Sequence, residues 1–167
     1  MVAICALVVS VFSVGLTVWT SFLQRKHMRL SVRPIVSIPV ADFEDRVGVF
    51  LQNKGLGPMR VVSLSVSDAV GKAYPDIKSH MPRLNAGVLW SNFHDSVDES
   101  TLEAGKRFEL LLLQGDMNNK AYRTSRDRIR KKLSELKIEV EYEDLYGQRM
   151  EPHTDVLSFF GRHFSND

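Results

Sequence analysis

The chain has 167 residues, a formal net charge of +2 and 25% charged residues. The length admits one ordinary domain with a real core behind a single leading helix, and so small a net charge excludes reading a partner from global charge balance. The single cysteine, Cys5, excludes an intrachain disulfide and leaves a reducing compartment open.

Residues 2–23 read VAICALVVSVFSVGLTVWTSFL and carry no charged side chain. As a helix they would extend roughly 33 Å, enough for a hydrocarbon core of about 30 Å. A secretory signal would need a positive start, a shorter apolar run and a small-x-small cleavage site, and this stretch has none of them. The sequence therefore predicts a transmembrane helix over residues 1–24 and a basic juxtamembrane segment over 25–30, with Arg25, Lys26 and Arg29 at an anionic surface. Positive residues follow the span and none precede it, so the rest of the chain is expected in the cytoplasm of a single-pass protein of the bacterial inner membrane. Ala6, Ser10, Ser13, Thr17 and Ser21 recur every three or four residues. They form a small-residue face that either packs two spans into a homo-oligomer or is the ordinary content of one span.

Residues 30–38 alternate around Pro34 and predict an edge strand. Residues 42–45 form a polar turn, and Arg46–Asn53 is a second strand with Val47, Val49 and Leu51 on one face. The loop at 53–58 holds Asn53, Gly55, Gly57 and Pro58 as structural turn residues. Strands are expected at 60–68, 87–94 and 107–113, separated by a stretch broken at Gly71, Pro75 and Pro82.

The period then changes. Residues 118–133 are expected as a helix, since Tyr122, Ile129, Leu133 and Leu136 are spaced seven, four and three apart. That helix is strongly basic, and Arg123, Arg126, Arg130 and Lys131 are its candidate anion- or membrane-binding residues. A solvated face balanced by Glu139, Glu141 and Glu143 is the competing reading. Lys137–Glu143 alternates as a strand, Asp144 and Gly147 shape a turn, and residues 148–151 and 155–160 are expected to return as strands. The fold class is thus mainly β: a β-sandwich over residues 31–161 with one late amphipathic basic helix, and a frayed tail at 162–167.

Asn53-x-Gly55-x-Gly57-Pro58 behind an alternating strand, with Tyr142-x-Asp144-x-Tyr146-Gly147 near the end, resembles a group of small, uncharacterised bacterial proteins. These are immunoglobulin-like β-sandwiches anchored by an N-terminal helix. The resemblance covers about residues 30–160, and it implies a fold and a membrane address rather than an activity.

No catalytic constellation is visible. The histidines His27, His80, His94, His153 and His163 lack zinc-ligand spacing. His94, Asp95, Asp98 and Glu99 read as a solvated loop, and Gly55-Leu-Gly57 is followed by Pro58 and a strand, unlike a dinucleotide loop. No cofactor and no metal are expected, and nucleic acid is not expected, since Tyr122 alone could stack on a base. The function read from the sequence is a membrane-tethered, non-catalytic binding or accessory module with protein partners in a membrane-associated assembly. The alternative is a sensor whose basic surface captures an anionic nucleotide or lipid and reorganises the spans. A hydrolase is the remotest reading.

Overall fold

The computed structural model describes residues 2–164, apart from the side chains of residues 2–6, 8, 9, 29 and 30. The chain divides into two compact units, Met1–Arg33 and Pro34–Asp167. The first is a single helix, α1 (Val2–Ser31). It runs through the basic residues after position 24, so the juxtamembrane segment expected there is a continuation of the helix. Among the described residues no helix is long and apolar enough to cross a membrane, which leaves the span expected over residues 1–24 without a counterpart among them. The described side chains mix small and polar residues into the apolar run and reach into the basic stretch. From Ser10 onward they take in Ser13, Gly15, Thr17, Thr20 and Ser21 and then Gln24, Arg25 and Lys26, whereas most of the valine-rich start lies outside them.

The second unit holds two antiparallel five-stranded sheets. In chain order the strands are β1 (Val36–Ser37), β2 (Val40–Asp42), β3 (Arg46–Asn53), β4 (Met59–Ser67), β5 (Ala73–Tyr74), β6 (Asn92–Phe93), β7 (Thr101–Leu102), β8 (Arg107–Gln114), β9 (Lys137–Glu143) and β10 (His153–Val156). One sheet has the order β1-β3-β8-β6 with β2 also on β3; the other has β10-β9-β4-β5 with β7 also on β4. A basic helix, α2 (Lys120–Leu133), connects β8 of the first sheet to β9 of the second.

Period-two alternation explains the layering. Val47, Val49 and Leu51 of β3 and Leu111 and Leu113 of β8 join Val61, Leu64 and Val66 of β4 and Ile138 and Val140 of β9 in one buried cluster. Both sheets thus contribute to a single core, the arrangement of a β-sandwich. α2 adds Tyr122, Ile129 and Leu133 to it, and Leu136 follows. The opposite face of the first sheet carries a separate small cluster of Ala41, Phe50 and Leu112, placed there by the same alternation, with the Arg107 guanidinium 4.5 Å from the Phe50 ring centre; the β3–β8 pairing shifts register between Val49 and Phe50.

The structure corrects several sequence-based boundaries. The edge strand expected at 30–38 shrinks to Val36–Ser37, because α1 persists to Ser31. Residues 148–151 contribute only a bridge between Glu143 and Arg149, and β10 is the true partner of β9. Residues 155–160 largely form a 3-10 turn, Leu157–His163, instead of a strand.

Candidate functional site

α2 begins where Asn119 caps it, its side chain accepting from the N–H groups of Ala121 and Tyr122. Its basic residues then separate by face. Arg126 and Arg130 are buried, at 6% and 2% exposure. The Arg130 guanidinium donates through Nε to Asp42 Oδ1 at 2.6 Å and through Nη2 to the Phe43 carbonyl at 2.9 Å. Arg126 donates to the Glu44 carbonyl at 2.7 Å, to the Glu44 carboxylate, and to Asp127 at 2.9 Å. These two arginines therefore leave the anion surface read from the sequence, because the β2–β3 turn consumes their charge. Helical geometry dictates this: positions 126 and 130 share the face of Tyr122, Ile129 and Leu133, and a charge carried inward needs a carboxylate waiting there.

Asp42 is the centre of that clasp. Its side chain is fully buried, and its second oxygen takes Arg162 Nη2 at 3.1 Å and His163 Nε2 at 2.9 Å. Arg162 and His163, expected in a frayed tail, thus tie the 3-10 turn at 157–163 back to β2. Residues 165–167 of that tail lie outside the described residues.

Arg123 and Lys131, the other two predicted helix residues, are exposed, as are Lys120 and Arg128. Arg128 Nη2 donates to the Asn85 side-chain oxygen at 2.7 Å and to the Arg83 carbonyl at 3.3 Å. Lys132 pairs with Glu135 at 3.0 Å. Arg128, Lys132 and Glu135, together with Lys131, His80, Met81 and Pro82, line an open groove of about 420 Å³. His80 Nε2 lies 2.9 Å from the Val66 carbonyl. A carbonyl only accepts, so this nitrogen carries the hydrogen. The 3-10 turn Lys78–His80 delivers His80, and it is fixed by Asp76, which accepts from the Ser79 N–H at 2.7 Å and from its hydroxyl at 2.6 Å. The Asp68 carboxyl is held below its ordinary value, first by the Lys72 N–H and then by that of Val70, with the charges of Lys132 and His80 adding to the effect.

The predicted turn residues are structural. Asn53 is fully buried, and its amide donates to the Gly57 carbonyl at 2.7 Å and the Leu102 carbonyl at 3.1 Å. Its oxygen accepts from Gly55 N–H at 2.9 Å and Ile35 N–H at 3.3 Å, so every polar position is satisfied. Gly55 and Gly57 are buried and Pro58 half-buried. The glycines with positive φ are Gly71, Gly87, Gly105 and Gly147. Gly57 is not among them, and Asn53 holds its carbonyl instead. Asp144 accepts from the N–H groups of Tyr146 at 2.8 Å and Gln148 at 2.9 Å, and Gly147 turns the chain at φ 74°. An added Cβ at Gly147 would meet nothing within 4 Å, so Gly147→Ala isolates the backbone term. It is expected to cost about 1 kcal/mol, read as a lowered denaturation midpoint of the full chain.

The acidic loop is also spent on structure. His94 Nδ1 lies 2.9 Å from the Glu109 carbonyl, Asp95 pairs with Lys78 at 3.3 Å, Asp98 accepts from Leu64 N–H at 2.8 Å and Glu99 pairs with Arg60. Among the described residues no group of His, Cys, Asp and Glu is placed to hold a metal ion. On α1, Ser10, Ser13, Thr17, Ser21, Arg25 and Lys26 are exposed, and the Thr17 hydroxyl donates to the Ser13 carbonyl at 2.8 Å. The side chains of Ala6 and Arg29 lie outside the described residues.

Sequence reasoning gave no site role to Asp42, Arg162, His163 or His80, and it did not single out Arg128 and Lys132 from the rest of the basic helix. Only the helical phase of Arg126 and Arg130 signalled that a buried acid must face them. Compared with family models, with characterised proteins and with solved structures, the chain matches none.

Proposed function

We propose that this protein is a membrane-held binding module without catalytic chemistry, its leading helix set in a bacterial inner membrane and its β domain presented to partner proteins in the cytoplasm. The observation that carries the reading is the surface of α1. Phe12, Trp19 and Phe22 are 75%, 66% and 70% exposed, with Val11, Val14, Leu16 and Val18 alongside. So much exposed apolar surface on one helix demands a cover, and the uncharged run of residues 2–23 followed by Arg25 and Lys26 favours lipid, oriented with the domain on the positive side. The immunoglobulin-like character of the domain is part of the same proposal, supported by two antiparallel sheets sharing one core. The face of Ser10, Ser13, Thr17 and Ser21 offers close approach for a second copy of the helix.

Carbonate washing of membranes that carry the full chain tests the anchor. The protein is expected to stay with the membrane pellet, and a cytoplasmic reporter fused after Asp167 is expected to be active where a periplasmic one is silent. Release by the wash would overturn the anchor, and the opposite reporter pattern would overturn the orientation.

A further inference from the structure

We infer that the groove between α2 and residues 80–82 binds a phosphate monoester. This rests on reading the chain as a binding module, and it names a site and a ligand chemistry for it.

The first argument is charge accounting along α2. Arg126 and Arg130 are neutralised by Asp42, Glu44 and Asp127. The groove side is not balanced in that way. Its walls carry Arg128, Lys131 and Lys132 against one acid, Glu135, which Lys132 already engages at 3.0 Å. Asp68, the acid that senses Lys132 and His80, spends its oxygen on the N–H groups of Val70 and Lys72, both at 3.0 Å.

The second argument is positioning. Arg128 is held by two neutral acceptors, the Asn85 side-chain oxygen and the Arg83 carbonyl. They fix the guanidinium without cancelling its charge, so its remaining donors stay free for an oxyanion. The Lys131 ammonium has no partner among the described residues. One turn of helix separates 128 from 131, which places a planar fork and a mobile point charge along the same wall. The partial negative charge at the end of α2 offsets only part of these cations.

The third argument is shape. A volume of about 420 Å³ falls in the range of small-molecule sites, about 300–1,000 Å³. Met81 and Pro82 give it an apolar side. A bare inorganic ion would leave that side unused. An ester whose phosphate meets Arg128 and Lys131, and whose organic part lies on Met81 and Pro82, would use both.

Calorimetric titration of the full chain in detergent with inorganic phosphate, a mononucleotide (AMP) and glycerol 1-phosphate tests the proposal. Saturable binding of an ester, tighter than inorganic phosphate and weakening as salt is raised, is expected. Preference for AMP points to a soluble ligand, and preference for glycerol phosphate points to phosphatidic acid, the phospholipid whose headgroup is itself a phosphate monoester. Arg128→Gln/Lys131→Gln should weaken the preferred ester by about tenfold and Lys131→Gln alone by about threefold; the single variant leaves the Arg128 contacts in place. Arg123→Gln, on the same helix outside the groove, should change affinity less than about twofold. Absence of saturable binding to all three probes, or an equal loss with Arg123→Gln, would overturn the site. The carbonate wash is indifferent to either result, so the anchor and the groove stand or fall separately.

Discussion

Replacing Asp42 by alanine is expected to destabilise the β domain by about 3–5 kcal/mol. The asymmetry of exposure decides the magnitude. Arg162 and His163 keep 42% and 33% of their side-chain surface in water, so each can turn outward when the carboxylate is gone. Arg130 cannot, with 3% of its side chain exposed. It would retain the Phe43 carbonyl at 2.9 Å and Asp127 at a long 3.5 Å, leaving a desolvated guanidinium without its close counter-charge. Arg130→Met together with Asp42→Ala should recover most of the loss, because an apolar side chain of similar length removes the charge that needed a partner. Denaturant unfolding of the full chain measures both. A loss below about 1 kcal/mol for Asp42→Ala would place the pair in the range of solvent-screened surface bridges and remove the clasp as a stabilising centre. A second readout is local: the turn at 157–163 should become protease-sensitive, since Asp42 holds both Arg162 and His163.

The clasp also shows how far the sequence could be read. Strands such as Arg46–Asn53 and Lys137–Glu143 were legible to the residue, because strict alternation leaves one register that buries valine and leucine. Tyr122, Ile129 and Leu133 likewise announced the inner face of α2, with Leu136 just beyond its end, and all four are at 2% exposure or less. The error came from treating the charges of that helix as one class. Composition marks a basic helix, whereas phase sends Arg126 and Arg130 inward and leaves Arg123, Arg128 and Lys131 outside. Asp42 was out of reach because it lies on a strand 88 residues away, in a turn whose sequence resembles any polar loop. The groove was hidden for the same reason: His80 and Met81 sit in a stretch broken by Pro75 and Pro82, with no period to place them. Gly57 misled in a different way. A Gly-x-Gly-Pro loop suggests positive φ, but neither Gly55 nor Gly57 is among the positive-φ glycines, and the loop is held instead by the Asn53 amide on the Gly57 carbonyl.

Gly115→Ala is expected to cost about 1–3 kcal/mol, the range for forcing extra volume into a packed site. Gly115 follows β8 and precedes α2, and its N–H donates to the Asp45 carbonyl at 3.1 Å, which pins the backbone to the same turn that Arg126 and Arg130 clasp. A Cβ there would collide with Tyr122 Cδ2 and sit 2.8 Å from both Cγ and Cε2. The obstacle is a whole ring at 2% exposure, not the far end of a mobile side chain. Burial pushes the Tyr122 hydroxyl above its ordinary range and leaves it without a hydrogen-bond partner, so the ring is kept in place by packing alone and has no polar alternative to swing toward. Two routes of relief remain, tilting α2 or lifting the turn at 115, and each disturbs contacts with the core. The origin of the penalty can be isolated by a double-mutant cycle. With Tyr122→Ala the ring is absent, and Gly115→Ala should then cost at least about 1 kcal/mol less than in the wild-type background, a coupling well outside the additivity of independent sites. Unfolding in added sucrose keeps the Tyr122→Ala chain folded at the start of the titration. Strictly additive losses would assign the cost of Gly115→Ala to its backbone rather than to the ring above it.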